Sequence, residues 1–372
     1  MLYRLQIPFL LCCWIGLSTN AHACSVPVFR YAVEHWPPDV YEALVLHRGK
    51  LSETDKAVTD HLLARSPKNP RPNLTVQISD LDLPDSAPAR QLWENLGSPS
   101  LPRLIVRPNP RAGLTWLNLS LPLTQESAEL LENSPARTEI VKRIANEDSV
   151  VWVLLESGNK TADADAMKVL NARLAYLLSV LKLPELSAAD IANGLVSVGA
   201  DGLKLRFSSL SVSRTDPKES IFVQTLLGLE SDLKDIDEPM VFPVFGQGRA
   251  LMPMVGKGIN NSMIDAAAIF LVGKCSCEVK DENPGADLLI TANWVEMVKR
   301  QAAGALMAAA KPETNSPPAQ LVPELVTFSG DTKPDTPPPV TGTPSRFQIA
   351  IPLCALLLGG ILIMLRKHTS NP

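Results

Sequence analysis

One segment limits what the rest of this chain can be. Phe347 to Leu365 runs 19 residues without a charged side chain. At about 1.5 Å per residue it spans roughly 28 Å, close to the ~30 Å hydrocarbon core of a bilayer. Arg366, Lys367 and His368 follow directly, and basic flanks favour the cytoplasmic side. The pattern predicts a single-pass transmembrane helix over 347–365, a short cytoplasmic tail over 366–372, and the bulk of the chain outside the cytoplasm. The other end agrees. Arg4, the apolar run Ile7–Leu17 and Ala21-His22-Ala23 have the charge, length and small-x-small form of a secretory signal peptide over 1–23. An uncleaved anchor is the alternative, but the apolar run is short for a span. Cleavage after Ala23 leaves Cys24 first in the mature chain. Lipoprotein signals also end just before a cysteine; Ala21 and His22 depart from that pattern, and the question stays open at this point.

Between the folded part and the anchor lies a linker over 311–346. Pro312, Pro317, Pro318, Pro323, Pro334, Pro337, Pro338, Pro339 and Pro344 stand there among Thr, Ser, Asp and Lys. Such a tract buries too little apolar surface to fold and tends toward polyproline II, with a reach of up to about 100 Å. It is expected to act as a spacer. The remainder has a globular composition, 45% hydrophobic and 20% charged, with a formal net charge of −4. No basic domain is present, which argues against nucleic acid as the main partner.

From residue 26 the pattern alternates between helical and extended periodicity. Val26–Trp36 reads as a helix stopped by Pro37-Pro38. Tyr41–Leu46 reads as a buried strand, Ser52 onward as a capped helix, and Leu74–Leu81 as a strand. Ser86–Leu96 reads as a helix, Leu104–Val106 and Leu114–Leu119 as strands, and Glu126–Ala145 as a helix broken near Ser134-Pro135. A similar order returns. Val150–Leu155 is a strand, Asp163–Leu183 a long helix, Leu203–Val212 a strand, and Lys218–Leu233 a helix. Met240–Phe245 and Arg249–Val255 flank a Gly246-Gln247-Gly248 turn. Asn260 or Asn261 caps a helix over Ser262–Leu271, and a last helix runs to Ala310 with Trp294 inward.

This order resembles the thioredoxin fold, twice, over most of residues 26–273. The fold class expected is therefore α/β, with one unit over 24–147 and a second, with a C-terminal extension, over 148–310. The resemblance implies a cis proline before the third core strand. Pro102 in Ser100-Leu101-Pro102-Arg103 fits in the first unit, and Pro239 or Pro243 in the second. The mature N-terminus, Cys24-Ser25-Val26-Pro27-Val28-Phe29-Arg30-Tyr31, is also similar to that of a group of bacterial exported proteins, a resemblance that implies no activity.

The departure from the thioredoxin pattern bears on mechanism. Thioredoxin-like oxidoreductases carry Cys-x-x-Cys where the first strand meets its helix, because the helix N-terminus lowers the thiol pKa. Here those places read His47-Arg48-Gly49-Lys50 and Glu156-Ser157-Gly158-Asn159, with no cysteine. His47, Arg48, Pro102 and Glu156 are the candidate cleft residues, with a surface histidine at a turn beside Arg48 the plainer reading of His47. The exported thiols are Cys24, Cys275 and Cys277. They are candidates for a structural disulfide, for redox exchange, or, on a weaker signal, for a soft-metal site at Cys275 and Cys277. His35, His47 and His61 form no zinc motif. The expectation is a redox-inactive binding or scaffold module at the outer face of the membrane, leaning away from an enzyme, with no cofactor. Its expected partners are the membrane and other exported or membrane proteins. The alternatives are a thiol–disulfide protein and a metal-binding accessory protein.

Overall fold

The short apolar run after Pro27 forms helix α1 (Val28–His35), which ends at Trp36, just before the two prolines. Strand β1 (Tyr41–His47) follows, then helix α2 (Glu53–Leu63) and strand β2 (Leu74–Asp80). The Ser52 hydroxyl accepts the Asp55 amide and so caps α2. Helix α3 (Ala87–Asn95), strand β3 (Arg103–Pro108) and strand β4 (Leu119–Pro122) complete the first sheet. Its order is β2-β1-β3-β4, with β1 parallel to β2 and antiparallel to β3, and β4 antiparallel to β3. Helices α4 (Gln125–Glu132) and α5 (Pro135–Ala145) follow. Ser134 caps α5, and Pro135 occupies its first turn, where a missing N–H costs nothing.

The second sheet begins with strand β5 (Val150–Leu155), then helices α6 (Lys160–Val180) and α7 (Ala188–Ala192) and strand β6 (Phe207–Val212). Helix α8 (Ser220–Leu227) leads to strands β7 (Met240–Phe245), β8 (Arg249–Ala250) and β9 (Met254–Val255). Helix α9 (Asn261–Val272), strand β10 (Ala286–Asp287) and helix α10 (Trp294–Ala309) are the last described elements. The order is β10-β8-β7-β5-β6, with β9 also on β7, β5 parallel to β6 and antiparallel to β7. The computed structural model describes residues 24–64, 73–109, 113–198, 202–275 and 279–309, with side chains to 303. All belong to one compact mixed α/β unit within Met1–Glu313. No helix among the described residues is long and apolar enough to cross a membrane. The expected signal peptide over 1–23, the expected linker over 311–346, the apolar run 347–365, the tail 366–372 and Cys277 lie outside the described residues.

Several expected elements differ. Leu114–Leu119 is a turn up to Leu119: the Leu117 amide donates to the Leu114 carbonyl, and Trp116 is about half exposed. The leucines at 114, 117 and 119 are buried with turn spacing, which imitates strand alternation. β6 starts at Phe207 rather than Leu203, because its partner β5 offers only six residues, from Val150 opposite Phe207 to Leu155 opposite Val212. The helix expected over Lys218–Leu233 ends at Leu227. A Cβ at Gly228 would lie 2.4 Å from the Leu117 side chain, so only glycine lets the two segments close there. Arg249–Val255 splits into β8 and β9 because their registers on β7, Val244 opposite Ala250 and Val241 opposite Met254, differ by one residue. That is a bulge, and it contains Pro253, which has no N–H to donate. The segment after Asp287 becomes helical only at Trp294. Among the described residues the cis peptide is Leu101–Pro102; Pro239 and Pro243 follow trans peptides, and Pro243 sits inside β7 opposite Trp152.

Strand alternation distributes the cores. Tyr41, Ala43 and Val45 of β1 share one apolar cluster with Val151, Val153 and Leu155 of β5 and Phe242 and Val244 of β7. Residues of α2, α4, α5 and α8 fill it. Val150, Trp152 and Leu154 face a second cluster built by α6 and α9, so β5 is buried on both faces, as its unbroken apolar sequence predicts. Leu44, Leu46 and Ile105 face a third, smaller cluster against α3. Two segments cross the expected boundary at 147/148. Cys24, Val26, Val28, Phe29, Tyr31, Ala32 and Trp36 pack in the second cluster, on the second sheet. Leu288–Ile290 and Trp294 pack in the first cluster with β1. Gly246, at φ +59°, brings the β7–β8 turn against α1, where an added Cβ would stand 2.8 Å from the Ala32 Cβ.

Candidate functional site

Equivalent corners form at the ends of β1 and β5. In the first sheet, Leu46 is opposite Arg103, so His47 and Pro102 come to the same end of the sheet. The half-buried His47 has Nδ1 2.9 Å from the Gly49 carbonyl oxygen, and the Gly49 amide donates to Asp80 Oδ1 at 3.2 Å. Arg48 lies 5.1 Å from the Trp93 ring centre and 3.7 Å from Asp82. His47, Arg48 and Pro102 are thus brought together, with Arg48 exposed.

Glu156 is not part of that corner. In the second sheet, Leu155 is opposite Met240, which sets Glu156 beside Pro239. Its carboxylate accepts from the Ser211 hydroxyl. A groove of about 440 Å³ opens there, lined by Ser157, Asn159, Asp165, Glu238, Pro239 and Lys257 among others.

The chemistry of each corner depends on what its helix N-terminus already binds. Free N–H groups at a helix start would stabilise a thiolate or other anion. At α2 the Ser52 hydroxyl takes the Asp55 amide at 3.1 Å. At α6, Asn159 Oδ1 takes the amides of Thr161 and Ala162 at 3.1 and 3.2 Å. The buried Asp163 carboxylate takes the Ser157 amide and hydroxyl, both at 2.8 Å, and the Gly158 amide at 3.1 Å. At the α6 corner the chain's own side chains occupy the donors that a reactive anion would need; at α2 one amide is taken. Ser157 is therefore tied down, and the described histidines are engaged elsewhere: His35 contacts the Leu195 carbonyl, His47 the Gly49 carbonyl and His61 the Glu132 carboxylate.

The cysteines lie elsewhere. Pro27 bridges antiparallel to Lys274, the Cys275 amide donates to the Val26 carbonyl at 2.8 Å, and the Val28 amide donates to the Gly273 carbonyl at 3.0 Å. Cys24 and Cys275 are both buried in the second cluster. Among the described residues no group of three or more His, Cys, Asp or Glu side chains could hold a metal ion. Of the Asn-x-Ser/Thr sites at 73, 118, 159 and 260, three have structural work: Asn73 is buried and donates to the Leu288 carbonyl, while Asn159 and Asn260 cap α6 and α9.

A buried polar cluster around Asp287 is one that sequence patterns did not single out. The Asp287 carboxylate accepts from Lys280 Nζ at 2.7 Å, the Asp39 amide at 2.7 Å and Arg249 Nη1 at 3.2 Å. Arg249 also donates to the Pro284 and Asn283 carbonyls and lies 6.0 Å from the Trp36 ring centre. The Tyr41 hydroxyl donates to the Asp287 carbonyl, and burial, with Asp287 and Asp39 nearby, raises its pKa well above the ordinary phenol value. Every strong acceptor of Asp287 is filled from within, so this cluster is a structural clasp. A second clasp joins Arg30 to Glu34, Gln301 and Ser197. The only advance signal was charge inside apolar stretches, as at Arg249.

Compared with known proteins, the chain matches no family model, no curated protein and no solved structure.

Proposed function

We propose that the chain is an exported single-pass membrane protein whose two thioredoxin-like sheets act as a binding or scaffold module at the outer face of the membrane. The strand orders β2-β1-β3-β4 and β6-β5-β7-β8, each with a parallel first pair and an antiparallel third strand, support the thioredoxin-like reading. The uncharged run at 347–365 supports the anchor.

One observation carries the redox-inactive part of this reading. At the place where a thioredoxin-like enzyme stabilises its thiolate, α6 has given its amides to Asn159 and the preceding turn has given its own to Asp163. The α2 corner carries no thiol and is capped by Ser52. What remains is a pair of rigid corners with exposed charge: Arg48 and Lys50 on one, Asp237 and Lys257 at the other. Such corners suit recognition of another protein better than bond-making.

The test uses the purified full chain in detergent. Insulin reduction and refolding of scrambled ribonuclease are expected to run at the rate of the thiol buffer alone. Turnover above that rate, lost on replacing Cys275 and Cys277 by Ser, would transfer the function to those thiols. Thiol counting with and without reductant then shows whether Cys24, Cys275 and Cys277 exchange at all.

A further inference from the structure

We propose that Cys24 is held inside the folded unit and is not a lipid-attachment site, so that the exported unit is held to the membrane at its C-terminal side alone. The inference rests on the export reading above only for its biological setting; the structural argument concerns residues 24–28 themselves.

Cys24 is 3% exposed, Ser25 5% and Val26 0%. These residues are built into the second core. The Ser25 amide and hydroxyl both donate to Asp190 Oδ2, at 2.7 and 2.5 Å, and the Ser25 hydroxyl oxygen accepts the Ser187 amide at 2.7 Å. The next residues pair with Gly273–Cys275 through two backbone hydrogen bonds, at 2.8 and 3.0 Å. The Cys24 side chain shares its cluster with Trp152, Leu170 and Cys275.

A lipoprotein cysteine carries a diacylglyceryl group through a thioether at Sγ, and that group must lie in the bilayer to gain its transfer energy, about 0.8 kcal/mol per CH₂. The sulfur then has to sit at the surface, on a tether free to reach the headgroups. Here Cys24 is 3% exposed within an apolar cluster, so its sulfur has no surface from which a glyceryl group could reach the headgroups. Exposing it would strip Ser25 from Asp190 and unpair 26–28 from 273–275. Lipidation and this packing exclude one another. The absence of a large aliphatic residue at Ala21 points the same way from the leader side.

The experiment expresses the full chain with its own leader in a bacterium that matures lipoproteins, feeds an alkyne fatty acid, and measures the intact mass of the detergent-extracted protein. The expected result is no label and a mass equal to the polypeptide alone. A chain ending at residue 346, which keeps the compact unit whole, is expected in the soluble extracytoplasmic fraction. A diacylglyceryl mass at Cys24 overturns the proposal. So does alkyne label lost on Cys24→Ser, or membrane retention of the shortened chain that Cys24→Ser abolishes. The mass also reports residues 1–23: a retained leader without lipid refutes the expected signal cleavage but supports the assignment of Cys24.

Discussion

Replacing Asp287 by Ala removes the one carboxylate that joins three distant segments. Its side chain is 3% exposed, against 7% for Arg249 and 15% for Lys280. Deleting one member of a buried ion pair costs about 3–5 kcal/mol, mostly because the partner charge is left without its counter-charge. Two features place this case at the lower end. Arg249 keeps the Pro284 and Asn283 carbonyls as acceptors, and Lys280 keeps Asp39 at 2.5 Å and the Pro37 carbonyl at 3.0 Å. The Asp39 amide also loses its acceptor, which costs a further ~1 kcal/mol or more if water does not replace it. A loss of about 3–4 kcal/mol is expected, a large share of the 5–15 kcal/mol that holds a typical domain folded. The assay is urea unfolding of the compact unit followed by tryptophan fluorescence, with Trp36 near Arg249 and Trp294 in the adjoining core as reporters. Thermal melting should fall by roughly 5–10 °C. A double-mutant cycle with Arg249→Met isolates the pair, and a coupling of at least about 1 kcal/mol is expected. A loss under about 1 kcal/mol for Asp287→Ala, or no coupling to Arg249, would refute the clasp.

Three further outcomes follow from the same structure. Gly246→Ala combines a positive φ of 59° with a Cβ 2.8 Å from Ala32, so a loss of about 2–3 kcal/mol is expected in the same unfolding assay, with amide exchange rising in α1. Asp190→Ala strips two hydrogen bonds from Ser25 and should cost about 2–3 kcal/mol, with limited proteolysis cutting first near the N-terminus; an unchanged cleavage pattern counts against the N-terminal pinning. Stability should also fall above pH 10. Buried Tyr41 stays protonated when folded while the unfolded phenol ionises at its ordinary 10.0, so rising pH favours unfolding. Lys280 acts in the same direction: burial opposes its charge, but Asp287 and Asp39 outweigh that and raise its pKa. Its stabilisation is present below the ordinary lysine value and is lost as pH climbs through the raised one. Tyr41→Phe should flatten part of this alkaline limb, as read from unfolding free energies between pH 8 and 11.

Local chemistry made much of this fold readable. The unbroken run Val150–Leu155 announces a strand buried on both faces, and β5 is one. Ser52 and Asn260 announce helix starts, and both cap as expected. These signals act within a few residues, where a cap, a proline or a two-residue alternation has one strongly favoured outcome. The misreadings at Leu114–Leu119 and Lys218–Leu233 have one cause. Apolar spacing states that a side chain is buried but not which distant element buries it, and here Leu117 and Gly228 close on each other across more than a hundred residues.

The candidate sites divide along the same line. That neither strand-end corner carries a thiol is written in residues 47–50 and 156–160. The sequence by itself also determined the uncharged run at 347–365, the proline tract before it and the leader-like N-terminus, since each depends only on neighbouring residues. The tertiary structure alone decided that α6 turns its amides onto Asn159, and the turn before it onto Asp163. It alone seated Cys24 in the core of the second sheet and made Asp287 the meeting point of Asp39, Arg249 and Lys280. Those groups stand up to 248 residues apart. Their energies depend on burial and distance, which exist only once the chain has folded.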